Sequence, residues 1–141
     1  QRESLVVVLP QDHPLTDRPR LTMEDLDGES WIVLDAASGS VVRDALFERA
    51  HRASFIPRVA QQAPDSWTIM ALVRAGVGIT LSIDSAFAAL DPRGLRVLPL
   101  EGPDPHTYAS LSWRSDDESP ALRRVIEMSE QVFPSEPDDG P

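Results

Sequence analysis

The chain has no cysteine and no lysine in 141 residues. Without cysteine, disulfides and thiolate chemistry are excluded, though the compartment is not thereby placed. Without lysine, all 13 basic residues are arginine, and they are scattered against 23 acidic residues, for a net charge of −10. A nucleic-acid-binding surface needs clustered cations to displace counterions from phosphates. No such cluster is present, so any contact with DNA falls to residues outside this sequence. Long apolar runs are also missing. No segment approaches the roughly 20 residues needed to span a bilayer as a helix, and no basic stretch precedes an apolar one as in a signal peptide. The sequence opens on Gln1, without an initiator Met and close before a strand-like run. It therefore reads as a piece of a longer chain.

What is present is an alternation of short apolar runs and helix-spaced segments. Leu5–Leu9 is a continuous β-branched run ending at Pro10, the pattern of a strand buried on both faces. His13-Pro14 and Pro19 make an extended connector, since residues before proline avoid the helical region. Thr22–Leu26 reads as one helical turn capped by Thr22. Strands are expected at 31–34, 55–61, 77–81 and 95–98, and at 107–113 with one wetter face. Helices are expected over 42–53, from Asp65 or Ser66 to a C-terminal Gly76, over 84–90, and from Ser119-Pro120 onward. The end, 134–141, is acidic and proline-rich and has the composition of a segment that does not fold.

Strands alternating with helices imply parallel βαβ units. In such sheets ligands bind beyond the carboxyl ends of strands, where helix N-termini point. Two segments fall there, Ser38–Ser40 and Gln61–Ser66. Ser38, Gly39 and Ser40 open a helix, where free amides and the helix dipole favour an anion, or where they simply cap it. Gln61 and Gln62 leave a strand toward the next helix and offer amide donors and acceptors, or line a solvated loop. Trp67 reads as a residue that packs against the lobe, or as one that stacks on a ligand. Three well-separated histidines, His13, His51 and His106, show no metal-ligand spacing. Gly76-Val77-Gly78 fails as a dinucleotide fingerprint because it ends a helix and its sixth position is Leu81. G-x-S-x-G, H-E-x-x-H and the P-loop pattern are absent, and no carboxylate pair is marked out as acid and base. The sequence calls for no cofactor and no metal.

Leu9-Pro10, His13-Pro14-Leu15 and Asp25-Leu26, together with Ala71–Leu81 (ALVRAGVGITL) and Leu111–Glu127 (LSWRSDDESPALRRVIE), resemble the effector-binding domain of LysR-type transcriptional regulators. The match runs from residue 5 to 133 in the right order. The resemblance implies an α/β fold like type II periplasmic binding proteins, with one complete Rossmann-like lobe and the returning part of a second. Residues 1–10 would hold the first crossover strand and 11–94 the complete second lobe. Residues 95–133 would hold the second crossover and the C-terminal part of the first lobe. The family's helix-turn-helix, linker helix and early first lobe have no counterpart here.

The same resemblance implies a cytoplasmic sensor that is not an enzyme, has no membrane partner and forms homodimers or homotetramers. Its effector would be a small organic acid or an amino-acid-like compound. DNA would be reached only through the absent domain. The strand-to-helix turn at Gln61 and Gln62 lines the pocket in relatives, many of which carry Glu nearby. Ile69, Met70 and Val73, on a helix with more apolar residues than one face needs, become candidates for a dimer interface, or for a helix buried within its lobe. A transporter's solute-binding protein with the same fold is the alternative. A small hydrolytic enzyme would need a nucleophile and base that the sequence does not display. One outcome follows for the chain by itself: in a gel-shift titration it leaves operator DNA unshifted, and tight binding would contradict this reading.

Overall fold

The structure, a computed structural model, describes residues 2–88, 91–108, 111–117 and 119–132. Strand β1 (Arg2–Pro10) is its axis. One edge of β1 pairs antiparallel with β5 (Thr80–Ile83), setting Leu5 opposite Ile83 and Val8 opposite Thr80. The other edge pairs antiparallel with β6 (Leu95–Glu101), setting Val8 opposite Val97. The two-residue strand β2 (Leu21–Thr22) lies parallel to β6, and β7 (His106–Tyr108) also pairs with β1. The apolar run of β1 is continuous because both faces of the strand are covered. Leu5, Val7 and Leu9 enter one core cluster with Leu21, Trp31, Leu46 and Leu98. Val8 enters a second with Ile32, Ile69, Met70, Val73 and Leu95. The two-residue period of a strand sends alternate side chains to opposite faces.

A second pairing carries the βαβ unit. Strands β3 (Ser30–Leu34) and β4 (Arg58–Ala63) are parallel, joined by helix α1 (Val41–Arg52). At its start β3 also meets the approach to β5: Ile32 N donates to Ile79 O and Ile79 N to Ser30 O, both at 2.8 Å. That approach is only open to glycine at position 78, because a Cβ there would lie 2.4 Å from Ser30 O. Helix α2 (Ser66–Arg74) follows β4, and the short α3 (Asp84–Ala88) follows β5. Gly76, at φ +73°, ends α2 as expected; Val77 N returns to Leu72 O at 3.1 Å.

Several expectations need correction. The sheet is mixed, not parallel throughout. Crossing helices give parallel neighbours within β3–α1–β4 and, through α2, where β3 meets the approach to β5, whereas β1 runs against both β5 and β6 by tertiary pairing. The strand expected at 55–61 begins at Arg58. Ser54 holds a positive φ of 65° and Pro57 has no N–H to give a ladder, so Phe55 instead packs on the core. Thr22 does not cap the turn at Glu24–Leu26. Asp25 is the acceptor there, taking Thr22 N at 2.9 Å and Thr22 Oγ1 at 3.3 Å. Among the described residues, the strand expected over 107–113 is confined to β7, and Leu111–Trp113 are not in a strand. Residues 89–90, at the end of the third expected helix, and the tail at 134–141 lie outside the described residues.

Two compact units result. The larger is Ser4–Thr107; the smaller joins the first residues to the stretch from Tyr108 onward. The smaller holds helix α4 (Pro120–Val132), whose entry Ser119 caps by accepting Leu122 N at 3.2 Å. No described residue of α4 is buried, and Val125, Met128 and Val132 are exposed. Among the described residues, no helix is long and apolar enough to cross a membrane.

The contact at Gly78 sets a test of this packing. Gly78→Ala forces β3 and the strand approach apart, so it should cost about 1–3 kcal/mol, the usual range for overpacking. Urea unfolding with an unchanged midpoint would show that the backbone there yields freely.

Candidate ligand-binding site

Two helices begin at the carboxyl ends of the strands that precede them. The turn before α1 is built by Asp35, whose Oδ1 accepts Ser38 N at 3.0 Å, while Ser38 Oγ donates to Asp35 O at 2.7 Å. Gly39 then takes the left-handed conformation at φ +61°, one that a side chain rarely tolerates. Ser40 is the N-cap of α1, accepting Arg43 N at 3.2 Å. Asp65 is the N-cap of α2, accepting Thr68 N at 2.8 Å and Thr68 Oγ1 at 3.1 Å. The amide from Thr68 holds the Asp65 carboxyl below the usual carboxylate range.

Between these helix starts lies a cavity of about 140 Å³, within the larger unit. Its floor is apolar, with Val33, Leu46 and Met70. Its polar lining is Ser40, Arg43, Ser66, Thr80 and Ser82. Thr80 is already committed, donating to Ile32 O at 2.8 Å. Ser82 reaches Ile83 O only at 3.4 Å. Among the described residues lining this wall, Arg43 is the one that is charged, and none is a carboxylate. Its guanidinium carbon rests 4.9 Å from the centre of the Phe47 ring. The nearest carboxylate, Asp44, is at 4.0 Å, and Arg43 Nε is buried without a hydrogen-bond partner. Two helix N-termini and one under-used cation make this wall positive in a chain of net charge −10.

The structure sorts the expected site residues. Ser40 lines the cavity. Ser38 and Gly39 shape the turn before it and are not on its wall. Gln61 and Gln62 are exposed residues inside β4 and not in the turn after it, because the strand continues to Ala63. Gln61 Nε2 donates to Gln62 O at 3.1 Å. Ile69, Met70 and Val73 form the inner face of α2 and are buried against β1 and β3. They are core residues, not an available interface. Trp67, expected in the core, is 65% exposed because it sits on the opposite face of α2. Ser66, the last residue of the 61–66 segment expected in the cleft, does line the cavity, whereas Arg43 and Ser82 were not singled out by sequence. A helix-spaced arginine and an isolated serine carry no pattern; only the convergence of three elements brings them together with Ser66. His13 serves its connector, its Nδ1 accepting Leu15 N at 3.3 Å and its Nε2 lying 3.3 Å from Glu29. Among the described residues, no group of three or more His, Asp or Glu could hold a metal.

A mixed α/β unit with a cavity at converging helix N-termini defines the type II periplasmic-binding-protein-like class. The chain belongs to the LysR substrate binding domain family, whose model matches residues 1–134. It is 28% identical over 131 residues to the HTH-type transcriptional regulator ShiR of Corynebacterium glutamicum (strain R), covering 93% of this chain and 44% of ShiR. It is 31% identical over 136 residues to HcaR, the Hca operon transcriptional activator of Escherichia coli (strain K12), covering 94% of this chain and 45% of HcaR. The chain thus spans a little under half the length of these curated relatives. Among solved structures, the effector binding domain of QuiR in complex with shikimate superposes with a TM-score of 0.73 at 23% identity, over 93% of this chain and 61% of that one.

The cap of α2 generates a pH test. The Asp65 pKa is lowered in the folded chain. Its contribution is therefore present above the unfolded carboxylate value and is lost as pH falls through the lower, folded one. Comparing unfolding at about pH 5 and about pH 2.5, the wild type should lose more stability than Asp65→Asn, which caps without titrating. Equal losses would show that the cap does not respond to protonation.

Proposed function

We propose that this chain is the small-molecule-sensing part of a LysR-type transcriptional regulator, with the cavity at the starts of α1 and α2 as one wall of its effector site. The effector in this reading is a small organic acid or an amino-acid-like compound. The observation that carries it is the lining: one cation, two helix N-termini, free hydroxyl capacity and no carboxylate. An anionic group is favoured there by charge and by unsatisfied donors. That QuiR's effector binding domain is in complex with shikimate supports the same class of ligand. Ser40 and Arg43 would hold the acid, with Ser66 and Ser82 facing it across the cavity. Ser38 and Gly39 would act by fixing the helix start. Gln61 and Gln62 could reach a ligand only from outside this cavity.

Binding without catalysis fits the chemistry of the wall. Among the described residues of the lining, its hydroxyls have no histidine or carboxylate beside them to serve as a base. In the whole regulator, an effector with unequal affinity for two conformations would shift their populations. DNA would be engaged by the helix-turn-helix part, in the cytoplasm, by a homodimer or homotetramer. Residues 11–94 would form one lobe, β1 and β6 its crossovers, and the stretch through α4 the returning part of the other. If α2 takes part in oligomerisation, it does so through the outer face bearing Trp67. The family match and the regulator relatives favour this over a transporter's solute-binding protein.

A thermal-shift screen tests the reading. Shikimate, benzoate and similar acids are compared with their methyl esters. At least one acid should raise the melting temperature by several degrees, as ligand at large excess over its Kd does, and its ester should not. Arg43→Gln should weaken that acid about tenfold or more, the scale of a lost charge-assisted hydrogen bond. Equal shifts from acid and ester, or none from any acid, would refute it.

A further inference from the structure

Helix α1 carries a second cation, farther along, that the cavity does not use. The Arg49 side chain is 9% exposed. Its Nε donates to Asp104 O at 2.8 Å, and its Nη2 to His106 O at 2.5 Å and to Asp104 Oδ2 at 3.1 Å. Its Nη1 turns back to Ala45 O at 3.3 Å, within its own helix. One guanidinium thus grips two carbonyls and a carboxylate of a segment 55–57 residues away in sequence.

That segment has a second tether on its other side. Leu5 N donates to Pro105 O at 2.9 Å, and Ser4 Oγ lies 3.5 Å from His106 Nδ1. These residues stand at the two places where the chain passes between the compact units, Glu3 to Ser4 and Thr107 to Tyr108. At its other end the same helix contributes Ser40, Val42, Arg43 and Leu46 to the cavity wall. A buried guanidinium stripped of its partners is costly, so α1 and the 104–106 segment are held to move together. Lysine, with a single nitrogen, could not span these acceptors.

We propose that Arg49 is a positioning residue that couples the cavity wall, through α1, to the segment by which the chain leaves the larger unit. This rests on reading the cavity as the effector site. Displacement of the α1 N-terminus by a ligand would then be felt at Asp104–His106, and the reverse.

Amide hydrogen exchange on the whole chain tests this without a ligand, so a failed acid screen and a failed coupling are separate results. In Arg49→Met, exchange should rise about tenfold at His106 and Thr107 and also at Asp44–Leu46, beside the cavity, through a shared local opening. Amides of β3 and α2 should keep their wild-type rates, and Arg49→Lys should fall between. Should Arg49→Met not fold, Arg49→Lys against wild type gives the same comparison. A change confined to His106 and Thr107 would overturn the proposal. So would a uniform rise that includes β3 and α2, since that is the signature of a purely structural residue.

Discussion

The burial of β1 on both faces and both edges is the constraint on which the larger unit depends. Its backbone is cut off from water, so every N–H and C=O needs a partner. Those partners are β5 on one side and β6 on the other over Leu5–Pro10, with Leu5 N donating to Pro105 O and β7 pairing as well. Its side chains then divide between two cores, Leu5, Val7 and Leu9 to one and Val8 to the other. Each such side chain contributes about 1.5–3 kcal/mol on burial. Remove the strand and neither core is closed, because β5 and β6 each pair with β1 on opposite edges.

This arrangement also places the cavity. β5 carries Thr80–Ile83 along one wall, in a register fixed by its pairing with β1. β3 is held against the approach to β5 by the Ser30–Ile79–Ile32 bonds, which puts its carboxyl end beside the same wall. The helix starts then converge because each follows such a strand end. Charge follows from geometry: Asp35 and Asp65 are spent as caps, with their carboxylates bonded to backbone amides, and Asp44 reaches Arg43 only at 4.0 Å from an exposed position. Arg43 is left to set the sign of the wall.

Arginine does different work at different places on one helix. Arg43 stands over Phe47 with its Nε unsatisfied and its carboxylate contact at the limit of an ion pair. Arg49, six residues on, is buried with four hydrogen bonds. Both lie in a helix whose sequence, VVRDALFERAHR, makes neither exceptional. The difference comes from what the fold brings opposite each one: an apolar cavity in the first case, a returning loop rich in carbonyls in the second.

The sequence by itself determined the elements whose signals are local. The run Leu5–Leu9 announced a doubly buried strand, Ser38–Ser40 and the pair Asp65 and Ser66 announced helix starts, and Gly76 a helix end. In each case backbone geometry within a few residues fixes the outcome. The family resemblance, carried by short motifs from residue 5 to 133, determined the fold class. Tertiary structure decided what depends on long-range register. It turned β1 against its neighbours, set Gln61 and Gln62 inside β4, buried Ile69, Met70 and Val73, and exposed Trp67, since which face of α2 meets the sheet is decided by the sheet. It also assembled the site. Ser40, Arg43, Ser66 and Ser82 are up to 42 residues apart, and only the pairing of β1, β3 and β5 brings them around one cavity.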